Sequence, residues 1–159
     1  MNAFYKYNEI SKAIAEYRLS LLCLVETKVA SWNVEKIKRK CVPNWKLLHN
    51  CPSRGVGRVW FVWDDQRLDV SLVWASPQTI TCYVVDREYQ KSVIITRVYA
   101  YNDRAPRLEL WEDLKHIERL INDQAWAVFG DFNIVRFAYE RLGGNPPETT
   151  EMKDFNDYI

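Results

Sequence analysis

Polar side chains follow three apolar runs of this sequence, at the point where each run ends. The run "LSLLCLVE" ends in Glu26, and "SVIITRVYAYN" ends with Tyr99 and Asn102. The third run, "WAVFGDFNIV", delivers Asp131 and Asn133. Ligands of open α/β sheets gather at the carboxyl ends of strands, so these side chains are candidates for one shared pocket.

The types of these residues suit phosphate chemistry. Glu26 and Asp131 carry hard oxygen donors of the kind that Mg²⁺ takes, usually one or two per ion with water completing the shell. Tyr99, Asn102 and Asn133 can donate hydrogen bonds to a phosphate without adding negative charge. Asp131 and Asn133 flank one residue, so in an extended chain both point to the same face. The set predicts metal-assisted cleavage of a phosphodiester.

Each of these residues also has an ordinary structural explanation. Asp131 after a glycine and Asn102 before an aspartate are common turn pairs. Glu26 is typical of a solvated strand end, and Tyr99 is typical of sheet packing. Taken one at a time, the structural explanation is the better one, and only the order and spacing of the whole set favour a site.

Composition and charge set broad limits. The 159 residues suit one domain, and 22 basic against 21 acidic residues give a formal net charge of +1. No global field therefore draws the chain to nucleic acid or membrane, and a polyanion must be met locally. The four cysteines form no CxxC pair, and the sequence shows no signal-like or membrane-length apolar run. We therefore expect reduced thiols in an intracellular protein.

Hydrophobic periodicity predicts an α/β layered chain with mixed strand pairing. Apolar residues at helical spacing predict helices over 10–17, over 34–41 and from just after Pro106 to Ile121, and a last helix capped by Thr149 or Thr150. The first apolar run and "AWAVFGDFN" each predict a buried strand. Four runs predict consecutive antiparallel strands: "GRVWFVWDD", "LDVSLVWAS", "TITCYVVD" and "SVIITRVYAYN".

The ordered series "LLCLVETK", "VYAYND", "RLELWEDL", "WAVFGDFNIV", "RLGG" and "EMKDFNDYI" resembles a known family. It is similar to the endonuclease domain of plant-type LINE (non-LTR) retrotransposons, from roughly Asn8 to the end. That family belongs to the endonuclease/exonuclease/phosphatase superfamily, with the apurinic/apyrimidinic endonucleases and deoxyribonuclease I. The resemblance implies a DNase I-like four-layer α/β sandwich of mixed, mainly antiparallel sheets. It also implies Mg²⁺ as cofactor and DNA as partner, with no membrane and no small-molecule cofactor.

The resemblance further implies a role for each candidate residue. Glu26, in the Glu-Thr-Lys strand end, would be the Mg²⁺ ligand. Tyr99 and Asn102 fit a Tyr-x-x-Asn pattern beside the scissile phosphate. In the Gly-Asp-x-Asn motif, Asp131 would orient or deprotonate the attacking water, and Asn133 would hold that aspartate and the phosphate.

Two parts of the family pattern are not found where they are expected. Family members begin with a Trp-Asn strand and finish with Ser-Asp-His. Here "SWNV" follows Glu26 instead of preceding it, and its Asn33 is better explained as a helix cap. His49 is predicted on a surface or turn and His116 on a helix face. We therefore expect a single truncated domain over 1–159, without the first strand and the carboxyl-terminal portion, with one sheet face unpartnered and activity weak or absent.

Two other functions stay open. One is a phosphatase of the same superfamily. The other is a non-catalytic remnant of a retroelement that binds nucleic acid or protein through a basic strip, whose residues are Lys36, Lys38, Arg39 and Lys40. A solvated helix face is the simpler explanation of that strip. A retrotransposon protein would be expected in the nucleus.

Overall fold

Two β-sheets pack face to face between two pairs of helices in the computed structural model, which describes residues 4–53, 55–144 and 146–158. The helices are α1 (Phe4–Tyr17), α2 (Val34–Cys41), α3 (Arg104–Ile121) and α4 (Thr149–Tyr158). The strands are β1 (Leu21–Leu24), β2 (Val29–Ala30), β3 (Lys46–His49), β4 (Val56–Gly57), β5 (Trp60–Trp63), β6 (Leu68–Ala75), β7 (Thr79–Asp86), β8 (Ser92–Tyr99) and β9 (Trp126–Asp131). Short 3₁₀ turns span Ser31–Asn33 and Ala138–Glu140.

Strand pairing divides the sheets into an antiparallel one and a mixed one. The first sheet has the order β1-β5-β3, and both of its pairings are antiparallel. The second has the order β6-β7-β8-β9, with β8 and β9 parallel because α3 carries the chain back between them. β2 and β4 form a separate two-stranded ribbon.

Apolar side chains fill the three spaces between these layers. Phe61 of β5 and Ile80 of β7 belong to the cluster between the two sheets. Val34 and Ile37 of α2 pack on the outer face of the first sheet, and the apolar stripe of α3 packs on the outer face of the second. The predicted four-layer sandwich of mixed, mainly antiparallel sheets is confirmed.

The predicted pairing of the run "GRVWFVWDD" is wrong. Its strand, β5, pairs with β1 and β3, whereas only the three runs that follow it pair consecutively as β6, β7 and β8. All four residues of β5 are buried, as expected of the central strand of a covered sheet. A turn at Asp64, whose carbonyl accepts from the N–H of Leu68 at 2.9 Å, then takes the chain into the second sheet.

Three predictions at helix starts need correction. α3 begins at Arg104, before Pro106, because the first four N–H groups of a helix have no partner within it and a proline there loses nothing. α4 already begins at Thr149, so the two candidate caps lie in its first turn. Asn33 directly precedes α2, but its side chain makes no capping hydrogen bond.

Among the described residues, an unpartnered sheet face occurs only in part, along β9. The first sheet covers the inner face of β6, β7 and β8, and α3 and α4 cover the outer face of the second sheet. On β9, Ala127 is exposed and Phe129 is 40% exposed. In the described ranges, no helix is long and apolar enough to cross a membrane.

The cysteines are all free, in line with the predicted reduced thiols. Burial raises the pKa of the Cys23 and Cys82 thiols to about 12, so both stay protonated at neutral pH.

The α3 stripe allows a matched test of the core. Leu114 is fully buried, whereas Leu120 on the same helix is 51% exposed. We expect Leu114→Ala to lower the free energy of unfolding by about 2–5 kcal/mol, since it opens a cavity. Leu120→Ala should change it by less than about 0.5 kcal/mol. Urea denaturation measures both, and equal losses would show that α3 does not pack on the second sheet.

Candidate functional site

The parallel register of β8 and β9 brings two of the candidate residues side by side. Tyr99 lies directly opposite Asp131. The Asp131 carbonyl accepts a hydrogen bond from the N–H of Ala100 at 2.8 Å, and Asn133 Nδ2 donates to the Ala100 carbonyl at 2.6 Å. The ends of the two strands are therefore locked together at one edge of the sheet.

Backbone geometry explains the residue types at the end of β9 and just after it. Gly130 lies opposite Val98, and a Cβ at position 130 would collide with the Val98 backbone. Asn133 has φ 51°, in the left-handed region that asparagine tolerates better than most residues. Its N–H donates to Asp131 Oδ1 at 2.9 Å, which orients the carboxylate.

Asn102, Asp131 and Asn133 line one cavity of about 560 Å³, which we call the Asp131 cavity. Asn102 and Asp131 are exposed, and Asn133 is half-buried. Glu140, Arg141 and Glu151 also line it, together with apolar residues. Its volume is in the range of small-molecule sites.

Glu26 and Tyr99 do not line the Asp131 cavity, and each interacts with Lys28. Lys28 pairs with Glu26 at 2.6 Å, and both side chains are exposed. This hydrogen bond raises the pKa of Lys28 above its usual value, with a smaller contribution from Tyr99. The Arg58 guanidinium lies over the Tyr99 ring, 5.4 Å from its centroid. Lys28 and Arg58 are thus close to Tyr99, whose partner across the strand pair is Asp131.

Two of the predicted site residues have strained backbones. Glu26 has φ 52° and Asn133 has φ 51°, and Lys28 beside Glu26 has φ 49°. Left-handed conformations of residues other than glycine cost on the order of 1–3 kcal/mol and cluster at functional sites. The same conformation also occurs at Arg18, Gln90 and Asn122, away from the candidate residues, so it does not by itself indicate function.

The carboxylates of Glu26 and Asp131 suit a Mg²⁺ ion that keeps most of its water ligands, and not an ion enclosed by protein ligands. Within the described part of the chain, no group of three or more His, Cys, Asp and Glu side chains could hold a metal. Mg²⁺ is commonly bound through only one or two carboxylates with retained water. Glu26 and Asp131, both exposed, supply donors of that kind.

Arg107 connects the two strand ends, and the sequence analysis missed it. Its side chain is only 2% exposed. Nη1 donates to the carbonyls of Asn102 at 2.8 Å, Asn133 at 2.9 Å and Tyr101 at 3.2 Å, and Nη2 lies 3.2 Å from Glu151 Oε2. The signal was an arginine in helical phase with the apolar stripe of α3, where a charge needs a partner.

Neither histidine lies at the Asp131 cavity. His49 is exposed at the end of β3, where its Nδ1 accepts from the N–H of Cys51 at 3.1 Å. Burial lowers the pKa of His49 below its usual value, so the ring is neutral at pH 7. His116 packs on Trp74, with 4.6 Å between ring centroids. Both placements agree with the predicted structural roles.

The basic strip belongs to an amphipathic helix. Val34, Ile37 and Cys41 of α2 are buried, while Lys36, Arg39 and Lys40 are exposed and Lys38 is half-buried. This is the solvated helix face that the sequence favours.

Solved structures share this arrangement of layers. The endonuclease domain of TRAS1, a telomere-specific non-LTR retrotransposon, matches with a TM-score of 0.69 and 13% identity over 96% of this chain and 64% of that one. TDP2 of D. rerio complexed with single strand DNA product matches with a TM-score of 0.61 and 11% identity over 85% of this chain and 56% of that one. A mannosyl-6-phosphatase of Bacteroides thetaiotaomicron matches with a TM-score of 0.63 and 11% identity over 83% and 58%.

The chain shares the DNase I-like fold with these structures and with an endonuclease/exonuclease/phosphatase family protein of Bacteroides thetaiotaomicron. No protein-family model and no curated protein matches its sequence. The chain spans less than two thirds of the length of each of these three neighbours. The expected fold of the resemblance is confirmed, and those neighbours include an endonuclease domain and a phosphatase.

The contribution of the buried Arg107 to stability can be compared with that of Arg104. Arg104 lies on the same helix and pairs with Asp154 of α4 at the surface. We expect Arg107→Leu to lower the free energy of unfolding by about 3–5 kcal/mol, because it leaves three part-buried carbonyls and the Glu151 carboxylate without their partner. Arg104→Leu should cost less than about 1 kcal/mol. Urea denaturation gives both values. A small loss for Arg107→Leu would mean that the strand ends hold together without it.

Proposed function

We propose that this chain carries the site of a Mg²⁺-dependent phosphodiesterase that nicks DNA, like the endonucleases of plant-type LINE retrotransposons, and that it is weakly active or inactive as it stands. The observation that carries the proposal is the placement of Tyr99 opposite Asp131, at the edge where Asn102 and Asn133 share a cavity with that carboxylate. The DNase I-like fold supports it, because ligands gather at such strand ends.

Each residue has a distinct part in the proposed reaction. Asp131, oriented by the N–H of Asn133, positions the attacking water and accepts its proton. Tyr99 and Asn102 donate hydrogen bonds to the phosphate. Glu26 would hold a hydrated Mg²⁺, which when bound neutralises charge on the phosphate oxygens. Lys28 and Arg58 provide positive charge beside Tyr99, in a chain with a net charge of only +1.

Low activity follows from what surrounds Asp131. Among the described residues that line its cavity, Arg141 is the only cationic side chain, and there is no histidine. Removing a preorganised donor that stabilises charge developing on the phosphate costs orders of magnitude in rate. A protein of this kind would act in the nucleus as part of a retrotransposon product.

Nicking of supercoiled plasmid DNA tests the proposal. The unmodified chain should show negligible Mg²⁺-dependent nicking. A chimera completed with the remaining segments of a related retrotransposon endonuclease should nick, and Asp131→Asn or Glu26→Gln in that chimera should abolish nicking. Asp69→Asn and Glu112→Gln remove exposed carboxylates elsewhere and should have no effect. A chimera indifferent to Asp131→Asn would overturn the roles, and robust nicking by the unmodified chain would refute the proposed inactivity.

Metal binding can be followed in the chain itself, without turnover. Paramagnetic Mn²⁺ should broaden the amide signals around Glu26 and Asp131 at lower concentrations than signals elsewhere, because exposed carboxylates are the available hard donors there. Glu26→Gln should weaken this broadening, whereas Glu112→Gln should not. Broadening that is strongest away from both strand ends would count against a metal site there.

A phosphatase is the second candidate. The observation in its favour is the fold that this chain shares with a mannosyl-6-phosphatase. A panel of sugar phosphates offered to the chain and the chimera distinguishes the two. Phosphate release without nicking would favour the phosphatase, and neither activity in a folded chimera would favour the non-catalytic remnant.

A further inference from the structure

A second cavity, of about 470 Å³, has Tyr101 in its lining, next in the chain to Asn102 of the Asp131 cavity. We call it the Tyr101 cavity. The loop after β3 contributes His49 and Cys51, and the turn between β6 and β7 contributes Ser76 and Pro77. Arg58 and Tyr101 also line the cavity and provide a cation and an aromatic ring.

The wall of the Tyr101 cavity is held in place by Asn50. Its Nδ2 donates to the carbonyls of Ser76 at 3.2 Å and Pro77 at 2.9 Å. Its Oδ1 accepts from the N–H groups of Arg58 at 3.1 Å and Val59 at 2.9 Å. Both donors and both acceptor positions of this amide are used, so it is a structural link between two loops and the cavity is formed before any ligand binds.

Tyr101 is fixed through its backbone on both sides. Its N–H donates to Oε1 of the buried Gln78 at 2.8 Å, and its carbonyl accepts from Arg107. Tyr101 lines the one cavity and the next residue, Asn102, lines the other.

The lining combines an aromatic ring with a cation. Arg58 is exposed, and its guanidinium also covers the Tyr99 ring, so positive charge lies both at this cavity and beside the β8 strand end. His49 uses Nδ1 as an acceptor, so the neutral ring carries its proton on Nε2 and can donate a hydrogen bond. An aromatic face, a cation and a neutral donor together match the base and the phosphate of one nucleotide.

We propose that the Tyr101 cavity binds one unpaired nucleotide adjoining the scissile phosphate, with its base stacked on Tyr101 and its phosphate paired with Arg58. Cleavage beside this nucleotide rests on the proposed function, but binding does not. Because a base inside a duplex cannot offer its face to a side chain, the site selects single-stranded or unpaired nucleotides.

Binding of a short oligonucleotide tests the proposal without requiring cleavage. A fluorescently labelled single-stranded DNA pentamer is titrated with the unmodified chain in EDTA, and anisotropy is measured. Tyr101→Ala should weaken binding on the order of 5- to 100-fold, as expected for one stacked base, and Tyr101→Phe should retain it. Arg58→Ala should weaken binding and flatten its salt dependence.

The controls come from the opposite end of β8. Tyr89 is 67% exposed and Arg87 is exposed, both in the turn between β7 and β8. Tyr89→Ala and Arg87→Ala should leave binding unchanged. If Tyr101→Ala does not fold, intermolecular nuclear Overhauser contacts between the Tyr101 ring and a base in the unmodified protein decide the question.

The outcomes separate this inference from the proposed function. Equal effects of Tyr101→Ala and Tyr89→Ala, or a duplex of the same sequence that binds as tightly as the single strand, would overturn the Tyr101 site. Binding that depends on Tyr101 and survives Asp131→Asn supports it, even if the chimera never nicks. Nicking by the chimera with no role for Tyr101 in binding would leave the proposed function standing and this inference refuted.

Discussion

The parallel pairing of β8 with β9 is the constraint on which the candidate site depends. Parallel neighbours need a crossover, and α3 provides it by burying its apolar stripe on the outer face of the second sheet. Both strands therefore end at the same edge, with Tyr99 opposite Asp131. A tight antiparallel hairpin would have put the end of β9 at the other edge of the sheet. The helix packing thus determines the chemistry available at this edge.

Beyond β8 and β9 the backbone leaves the sheet, and its carbonyls need other partners. The side-chain amide of Asn133 donates a hydrogen bond to the Ala100 carbonyl. Arg107 donates to three more carbonyls, including that of Asn102. A buried guanidinium is costly unless it is paired, and Glu151 of α4 supplies the countercharge. The last helix is therefore tied electrostatically to the loops that carry the candidate residues. The same network that satisfies the backbone also fixes where Asn102 and Asn133 lie.

Sequence periodicity predicted the elements better than their partners. The helical spacing of Trp111, Leu114 and Ile117 located α3, and the apolar runs located the longer strands. The sheet to which β5 belongs could not be predicted, because an apolar run buried throughout carries no information about its neighbours. Register is likewise set by tertiary packing, so the alignment of Tyr99 with Asp131 was beyond the sequence. Residue types and spacing identified the candidate site residues, and only the fold shows which of them are neighbours.

Short-range contacts must decide recognition at this edge. With a net charge of +1, the chain has no strong field to attract a polyanion from a distance, and salt screens exposed charges beyond about 10 Å. Lys28 is already paired with Glu26, and the cation that lies over the Tyr99 ring is Arg58. One cation supplies little of the counterion release that drives duplex binding. A preformed cavity with an aromatic wall gains affinity from stacking instead, which favours a ligand whose bases are unpaired.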